Sequence, residues 1–153
     1  MLDIKFEEVP TGFTKFGNIE THLPQRADEL SAGYDFEAKE EINLIRGGHY
    51  LFWTDVRAKM PEGVGLFMDI RSGLGTKHGL SLRNTIGVID ASYYDNADTK
   101  GNIGICLINN SDSEYHVSKG DRIAQGVFMP YLKTIDDQPR NEVRSGGFGS
   151  SGK

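Results

Sequence analysis

Glycine is the residue that most limits what this chain can fold into. Nineteen of the 153 residues are glycine, and they divide the chain into short segments, because glycine favours turns and weakens helix interiors. No segment longer than about two turns has the apolar spacing of an amphipathic helix; the best short helix is Ser72–His78, with Ser72 as its predicted N-cap. Runs rich in aromatic and β-branched residues predict strands. The predicted strands are Asp3–Phe6, Tyr34–Glu37, Tyr50–Arg57, Gly65–Ile70, Thr85–Ile89, Asn102–Asn109, Glu114–Val117 and Ile123–Met129.

Many short strands with closely spaced turns predict an all-β domain, either a sandwich, a barrel or a jelly roll. The length suits one domain, which we expect over residues 1–135, followed by a polar, flexible arm at 136–153. Hydrophobic residues make up 37% of the chain and the mean hydropathy is −0.44. A small domain with so little apolar material is expected to rely on burial between subunits.

Charge and composition exclude several classes of protein. The net charge of −5 and the pI near 5.3 argue against a broad nucleic-acid-binding surface. No apolar run approaches the ~20 residues that span a bilayer, and the first ten residues do not resemble a secretory signal. We therefore expect no membrane partner and a cytoplasmic location, in the host if the source is viral. Cys106, the only cysteine, is predicted to be a buried, inert thiol, and the scattered histidines do not suggest a zinc site.

The segment from Gly146 to Lys153 reads Gly-Gly-Phe-Gly-Ser-Ser-Gly-Lys. Its glycines let successive backbone N–H groups turn toward one anion, and its serines add hydroxyl donors. Phe148, flanked by glycines, could close over a flat base. The segment matches G-x-G-x-x-G and most of G-x-x-x-x-G-K, but those fingerprints need a preceding strand and a following helix. The alternatives are a nucleotide-closing arm and a disordered Gly/Ser tail.

Two short patterns in the middle of the chain carry groups suited to catalysis. Arg71-Ser72-Gly73 lies between a predicted strand and the short helix, where a hydroxyl, N–H groups and a guanidinium could hold a phosphate; the alternative is a helix cap beside a surface arginine. Asp90 ends an apolar strand and could act as a general base or bind a hydroxyl, or it could be a turn aspartate. Tyr93 could pack on a sugar or cover the core.

Two further patterns are weaker on their own. Asp35, in Ala-Gly-Tyr-Asp at 32–35, could position Mg²⁺-bound waters or be a surface carboxylate on a strand. The segment 119–125, Lys-Gly-Asp-Arg-Ile-Ala-Gln, is a turn that enters a strand. Its alternative interpretation is an ordinary hairpin with solvated charges.

The order of these patterns resembles the five ordered motifs of the trimeric dUTP diphosphatase (dUTPase) family. Five ordered motifs that span nearly the whole chain are far more specific than any one of them. The resemblance implies a jelly-roll-like, distorted β-barrel subunit in a homotrimer, with each active site shared between subunits. The matching segments are Ala-Gly-Tyr-Asp at 32–35, Arg-Ser-Gly-Leu-Gly-Thr-Lys-His-Gly at 71–79, Asn84 with Gly-Val-Ile-Asp at 87–90 and Tyr93, Lys-Gly-Asp-Arg-Ile-Ala-Gln at 119–125, and Gly-Gly-Phe-Gly-Ser-Ser-Gly at 146–152.

The resemblance also implies a reaction. Water would attack the α-phosphorus of dUTP and release dUMP and pyrophosphate, which lowers dUTP and supplies dUMP for dTTP synthesis. Asp90 would orient and activate the water, Gln125 would lie beside the α-phosphate, and Arg71 would stabilise the charge that develops. Mg²⁺ would be held chiefly by the triphosphate, and Asp35 would reach it through water.

The remaining site residues implied by the resemblance bind parts of the nucleotide. One group would contact uracil and deoxyribose: Asn84, Gly87, Tyr93 and Phe148. A second group would contact the phosphates: Ser72, Gly73, Arg144, Gly149, Ser150 and Ser151.

Three departures from the family pattern bear on these roles. Tyr94–Thr99 has the character of an insertion of roughly six residues, in what we expect to be the uracil-reading hairpin. Arg144 lies one residue closer to Phe148 than is usual. Gly126 follows Gln125 where the family has a bulky apolar residue, which predicts altered packing there.

Two other functions use the same scaffold. A dCTP deaminase would share the fold but would use a glutamate-based site, whereas this chain has Asp90 in Gly-Val-Ile-Asp and a complete Phe-Gly-Ser-Ser-Gly arm. A nucleotide-gated binding protein could use Tyr94–Thr99 as a partner loop. Turnover separates these alternatives, because the binding protein would retain dUTP affinity without hydrolysis.

Overall fold

The computed structural model describes residues 2–17 and 19–139. The elements in these residues are short, in keeping with the glycine spacing, and one of those described is an α-helix. In chain order they are β1 (Lys5–Glu8), β2 (Gln25–Arg26), β3 (Tyr34–Glu37), β4 (Ile42–Leu44), β5 (His49–Trp53), β6 (Val56–Lys59), β7 (Val64–Ile70), α1 (Ser72–His78), β8 (Leu80–Leu82), β9 (Gly87–Asp90), β10 (Gly104–Asn109), β11 (Tyr115–Val117) and β12 (Arg122–Pro130), with a 3₁₀ turn at Ala91–Tyr93.

Over the described residues, all strand pairs are antiparallel and form four sheets around one core. The largest sheet has the order β2-β3-β12-β7-β9, and a second has the order β5-β10-β8. The pairs β1-β6 and β4-β11 form two further sheets of two strands each. The predicted all-β, jelly-roll-like fold class is confirmed.

The core draws side chains from each of the larger sheets. Phe36, Leu66 and Ile123 come from the five-stranded sheet, and Phe52 and Leu107 from the three-stranded sheet; each is at most 1% exposed. Their facing positions bury one side of each sheet. The other side of the five-stranded sheet is therefore left outside the core.

The predicted strand Tyr50–Arg57 is wrong as a single strand, because the chain breaks between β5 and β6. Asp55 has φ of 55°, which removes it from the strand. Its carboxylate, 1% exposed, accepts the backbone N–H groups of Lys15 and Phe16 and the side-chain N–H of Asn102. These distant partners hold a conformation that the local sequence does not favour.

Other predicted boundaries shift by smaller amounts. β3 and α1 keep their predicted bounds, whereas the strand predicted at Thr85–Ile89 begins only at Gly87, because Thr85 has φ of 68°. Three strands, β2, β4 and β8, were not predicted; at two or three residues each they are too short to show an alternating pattern.

Ser72 is not the N-cap of α1, contrary to prediction. Arg71 holds that position with extended backbone angles and makes no side-chain capping bond. Ser72 is instead the first helical residue, and its carbonyl accepts the Thr76 hydroxyl at 2.7 Å.

Candidate active site

The face of the five-stranded sheet that points away from the core carries a cleft. Directly opposed residues in an antiparallel pair share a face, and the register places Asp35, Gln125 and Asp69 side by side. The next pair on this face is the half-buried Phe67 and Val127. Together these residues line a cleft of about 480 Å³. The polar side chains therefore lie at one end of the cleft, and the apolar side chains line the rest of its sheet surface.

Asp35 joins two arginines beside the cleft. Its Oδ1 lies 2.8 Å from Arg71 Nε, and its Oδ2 lies 3.3 Å from Arg122 Nη1. The Asp35 side chain is 13% exposed, whereas those of Arg71 and Arg122 are 32% and 50% exposed. The three side chains carry a net charge of +1, which the Asp69 carboxylate in the same cleft offsets; the two guanidiniums remain as donors for an anionic ligand.

Gly33 allows the chain to approach Gln125 closely. A Cβ at Gly33 would lie 2.5 Å from Gln125 Oε1, well inside van der Waals contact. Glycine at this position therefore leaves the Gln125 carboxamide where it is, next to Asp35 in the register.

The start of α1 is open to solvent. Ser72 and Gly73 are exposed, and a Cβ at Gly73 would meet no heavy atom within 4 Å. The N–H groups of the first helical residues have no partner within the helix. The structure thus brings Arg71, Asp35 and Gln125 to the cleft, with Ser72 and Gly73 following Arg71 in the chain.

Asp90 ends β9 with one carboxylate oxygen fixed and the other open. Oδ1 accepts the Ser92 N–H at 3.1 Å and the Ser92 hydroxyl at 2.7 Å. Among the residues that the structure describes, none donates a hydrogen bond to Oδ2. Asp90 can therefore be both a turn aspartate and a general base, since a carboxylate held through one oxygen can still accept a proton on the other.

Tyr93 is buried beneath this turn. It is 8% exposed, and its hydroxyl donates to the carbonyl of Asn102 at 2.6 Å. The ring belongs to the core cluster, as the core-covering alternative predicted. Its contact with deoxyribose stays a prediction.

On the outward face of the five-stranded sheet, Asp90 and Gln125 lie at different positions along the strand direction. Asp90 pairs with Gly65 on β7, and Gln125 pairs with Asp69 on the same strand. The four-residue offset between Gly65 and Asp69 corresponds to about 13 Å along the strand. Within one chain the structure does not bring the predicted base to the arginine-lined end of the cleft.

The expected uracil-reading hairpin differs from the observed pairing. β9 pairs with β7, whereas β10, which follows the insertion, pairs with β5 and β8; no β9–β10 ladder forms in residues 19–139. Gly87 lies against β7, where a Cβ would be 2.9 Å from Met68 Cβ. Asn84 is exposed in the preceding loop, where Thr85 has φ of 68° and its N–H donates to the Leu82 carbonyl.

The Tyr94–Thr99 insertion is ordered and packs against β1 and β6. The Asn96 side chain is buried and donates to the Tyr93 carbonyl at 2.7 Å. The Tyr94 hydroxyl donates to Glu7 at 2.6 Å, and the Arg57 guanidinium lies over the Tyr94 ring. The insertion is therefore fixed to the N-terminal strand.

Glu7 is the electrostatic centre of this attachment. Its carboxylate is paired with Lys5 at 2.7 Å and with Arg57 at 3.0 Å. Hydrogen bonds from the Lys5 ammonium and from the Tyr94 hydroxyl lower the pKa of Glu7 to about 2. The ionised form of Glu7 is thus part of the folded state at neutral pH.

Five predicted site residues lie outside the described residues: Arg144, Phe148, Gly149, Ser150 and Ser151. Their roles, and the division at residue 135, stay predictions. Conversely, Arg122 contacts Asp35 although we did not predict it as a site residue. Its membership of the segment at 119–125 was a signal, but its charge alone suggested a solvated turn.

Residues 2–17 and 19–139 contain no group of three or more His, Cys, Asp or Glu side chains arranged to hold a metal ion. Over the same residues, none of the helices has the length and apolar character needed to cross a membrane.

Comparison with known proteins agrees with the motif order. The family model described as dUTPase matches residues 20–152. A deoxyuridine 5'-triphosphate nucleotidohydrolase of Lactococcus lactis is 43% identical over 140 residues, covering 91% of this chain and 93% of its own; one from Clostridium tetani is 37% identical and covers 86% and 89%.

Solved structures give the same result. The dUTPase of Streptococcus mutans is 37% identical with a TM-score of 0.73, covering 84% of this chain and 97% of its own. A mutant dUTPase of Staphylococcus bacteriophage 80alpha with dUpNHpp is 26% identical with a TM-score of 0.70, covering 98% of each chain. The chain belongs to the dUTPase family.

Proposed function

We propose that the chain is a dUTP diphosphatase that hydrolyses dUTP to dUMP and pyrophosphate. The observation that carries this proposal is Asp90: one oxygen accepts two hydrogen bonds from Ser92, and the other accepts none from the described residues. Family membership over residues 20–152 and the Arg71 guanidinium that lines the cleft support it. Both relatives described above are named for hydrolysis of this nucleotide.

A complete site would require more than one copy of the chain. The nucleophile must approach to about 3–3.5 Å of the phosphorus, whereas Asp90 and Gln125 are separated by about 13 Å along the sheet. A second copy would therefore bring its Asp90 to this cleft. Exposed apolar side chains on the sheet between Asp90 and Gln125 support such an association. They are Ile86, which is 49% exposed, Val88, which is 59% exposed, and Met129, which is 39% exposed. A closed ring of three copies is the assembly that the family resemblance implies.

In such a site, each group has a chemical task. Asp90 would take a proton from water as it attacks the α-phosphorus in line with the leaving pyrophosphate. The Gln125 carboxamide would donate to the α-phosphate and align the water, and Arg71 would stabilise negative charge on the leaving group. The Ser72 hydroxyl and the Gly73 N–H would hold the bridging region of the triphosphate.

Base and sugar recognition would come from the loop before β9. Asn84 and the backbone at Gly87 would pair with the uracil edge, and Tyr93 would pack below the deoxyribose. A wrong base would leave buried polar groups unpaired, which discriminates strongly. Phe148 would cover the uracil ring.

The phosphate end would be closed by the arm. Arg144, Gly149, Ser150 and Ser151 would contact the γ-phosphate. Asp35 would reach Mg²⁺ only through water: each of its oxygens is paired with a guanidinium but keeps a further lone pair that can accept from a metal-bound water. Bound Mg²⁺ would neutralise charge on the triphosphate. We place this activity in the cytoplasm, of the host if the source is viral.

The test is pyrophosphate release from dUTP, dCTP, dTTP and UTP with Mg²⁺, for the wild type and Asp90→Asn. We expect selective cleavage of dUTP that falls at least about 100-fold in the variant, with unchanged dUTP affinity. Ammonia release from dCTP would indicate a deaminase instead. Tight dUTP binding without turnover in the wild type would indicate a binding protein.

A further inference from the structure

A β-bulge at the start of β12 determines where Arg122 lies. The register with β3 shifts between Arg122, opposite Glu37, and Ala124, opposite Phe36. Ile123 is the extra residue, and both Ile123 and Ala124 are fully buried. Side chains alternate along a regular strand, so if residues 122–124 paired without a bulge, Arg122 would share the buried face with Ala124. Bulges commonly redirect a side chain beside a functional site.

The redirected side chain reaches the outward face, which also carries Asp35. Arg122 Nη1 lies 3.3 Å from Asp35 Oδ2, while Arg71 Nε lies 2.8 Å from Oδ1. Each carboxylate oxygen thus has its own guanidinium, and the carboxylate cannot rotate without loss of both contacts. Because Arg71 uses Nε, the nitrogen nearest its chain, its two terminal nitrogens remain for a bidentate anion contact.

We propose that Arg122 is a positioning residue for phosphate binding: it fixes the Asp35 carboxylate, which in turn orients the Arg71 guanidinium. The inference rests on the proposed function, since it takes Arg71 to bind a phosphate of dUTP. Arg122 also balances the charge of Asp35. Without it, Asp35 would neutralise Arg71 and leave the cleft with no net positive charge from this cluster.

Binding of α,β-imido-dUTP in EDTA, measured by calorimetry at 0.15 M salt, tests this role. Without metal, any contact of Asp35 with Mg²⁺-bound water cannot contribute, and charges more than about 8 Å apart are largely screened. We expect Arg122→Ala to raise Kd about tenfold, or about 1.4 kcal/mol. Arg46→Ala is the matched control, because Arg46 is an exposed arginine in the turn between β4 and β5, paired with Asp112 at 3.2 Å; its Kd should stay within about twofold.

The double-mutant cycle decides between indirect and direct action. In an Asp35→Asn background, Arg122→Ala should change Kd by less than about threefold, because Arg122 then has no carboxylate to hold. A loss of about tenfold in both backgrounds would mean that Arg122 binds phosphate itself and would overturn the proposal. Equal Kd values for Arg122→Ala and wild type would overturn it as well.

Two controls keep folding and function separate from this result. Thermal unfolding should show Arg122→Ala within about 2 °C of the wild type. Should it unfold, Arg122→Lys, which keeps a cation but lacks the planar guanidinium, replaces it in the same cycle. It should raise Kd in the wild-type background and leave Kd within about threefold in the Asp35→Asn background. Failure of the wild type itself to bind the analogue would overturn the proposed function and this inference with it.

Discussion

Replacing Gly126 by alanine tests how tightly the sheet that carries the cleft is packed. Gly126 is buried on the inner face of β12, next to Gln125 on the outer face. A Cβ there would lie 2.7 Å from Leu66 Cδ1, 2.9 Å from Met68 Sδ and 3.1 Å from Phe36 Cε2. Ordinary contact between carbon atoms begins at about 3.5 Å, so all three neighbours would have to move.

The size of the effect follows from how little room those neighbours have. Leu66, Met68 and Phe36 are 0%, 3% and 1% exposed, so none can swing into solvent. Overpacking of a core costs about 1–3 kcal/mol, and loss of glycine flexibility in the unfolded chain returns about 0.4–1 kcal/mol. We expect Gly126→Ala to lose about 1–2 kcal/mol, which lowers Tm by about 3–6 °C for a chain of this size.

Thermal unfolding by circular dichroism at one fixed protein concentration measures this change, because association makes Tm depend on concentration. A double-mutant cycle with Leu66→Ala tests the physical reason. Once Leu66 Cδ1 is removed, Gly126→Ala should lower the free energy of unfolding by less than it does in the wild type. An unchanged or higher Tm for Gly126→Ala would refute the packing argument. Additive losses in the double variant would refute Leu66 as the obstacle.

Three further predictions follow from individual residues. Gly33→Ala should displace the Gln125 carboxamide and lower kcat for dUTP about 10- to 100-fold with little change in Tm; an unchanged kcat would contradict this. Asp55→Ala leaves the buried Lys39 ammonium without the carboxylate that lies 3.6 Å away. Urea unfolding at pH 7 should therefore show a free energy of unfolding lower by about 3–5 kcal/mol. A loss of less than about 1 kcal/mol would count against this prediction. Glu7 has a pKa of about 2 when folded, below its ordinary 4.5, so its stabilisation is complete above pH 4.5 and is lost as pH falls toward 2. Glu7→Gln should therefore flatten the fall of the urea midpoint across that pH range, and a parallel fall in both proteins would disprove the linkage.

Local signals were sufficient where a residue pattern and its boundaries agree. β3 has the predicted bounds at Tyr34–Glu37, where aromatic residues follow the flexible Gly33, and α1 ends at His78, before Gly79 with φ of 67°. The predicted helix start failed for Ser72, because nothing in the sequence distinguishes a capping serine from one in the first helical turn.

Distant contacts explain the predictions that failed. The break between β5 and β6 depends on Asp55, whose carboxylate contacts residues 39, 40 and 47 positions away. The site shows the same limit. The chemical types at Asp35, Arg71 and Gln125 could be predicted, but their meeting depends on strand register. Arg122 was missed because its place depends on a bulge, and a one-residue register change alters which face a side chain occupies.

Mixing two inactive variants tests most directly whether dUTP is hydrolysed in a site shared between chains. Asp90→Asn and Arg71→Ala would each remove one part of every site. After unfolding and joint refolding in equal amounts, random assembly into a ring should restore about a quarter of wild-type pyrophosphate release from dUTP, because that share of sites receives both wild-type parts. If the mixture stays as inactive as either variant alone while the wild type, refolded in the same way, recovers, then both parts act within one chain and the account is wrong.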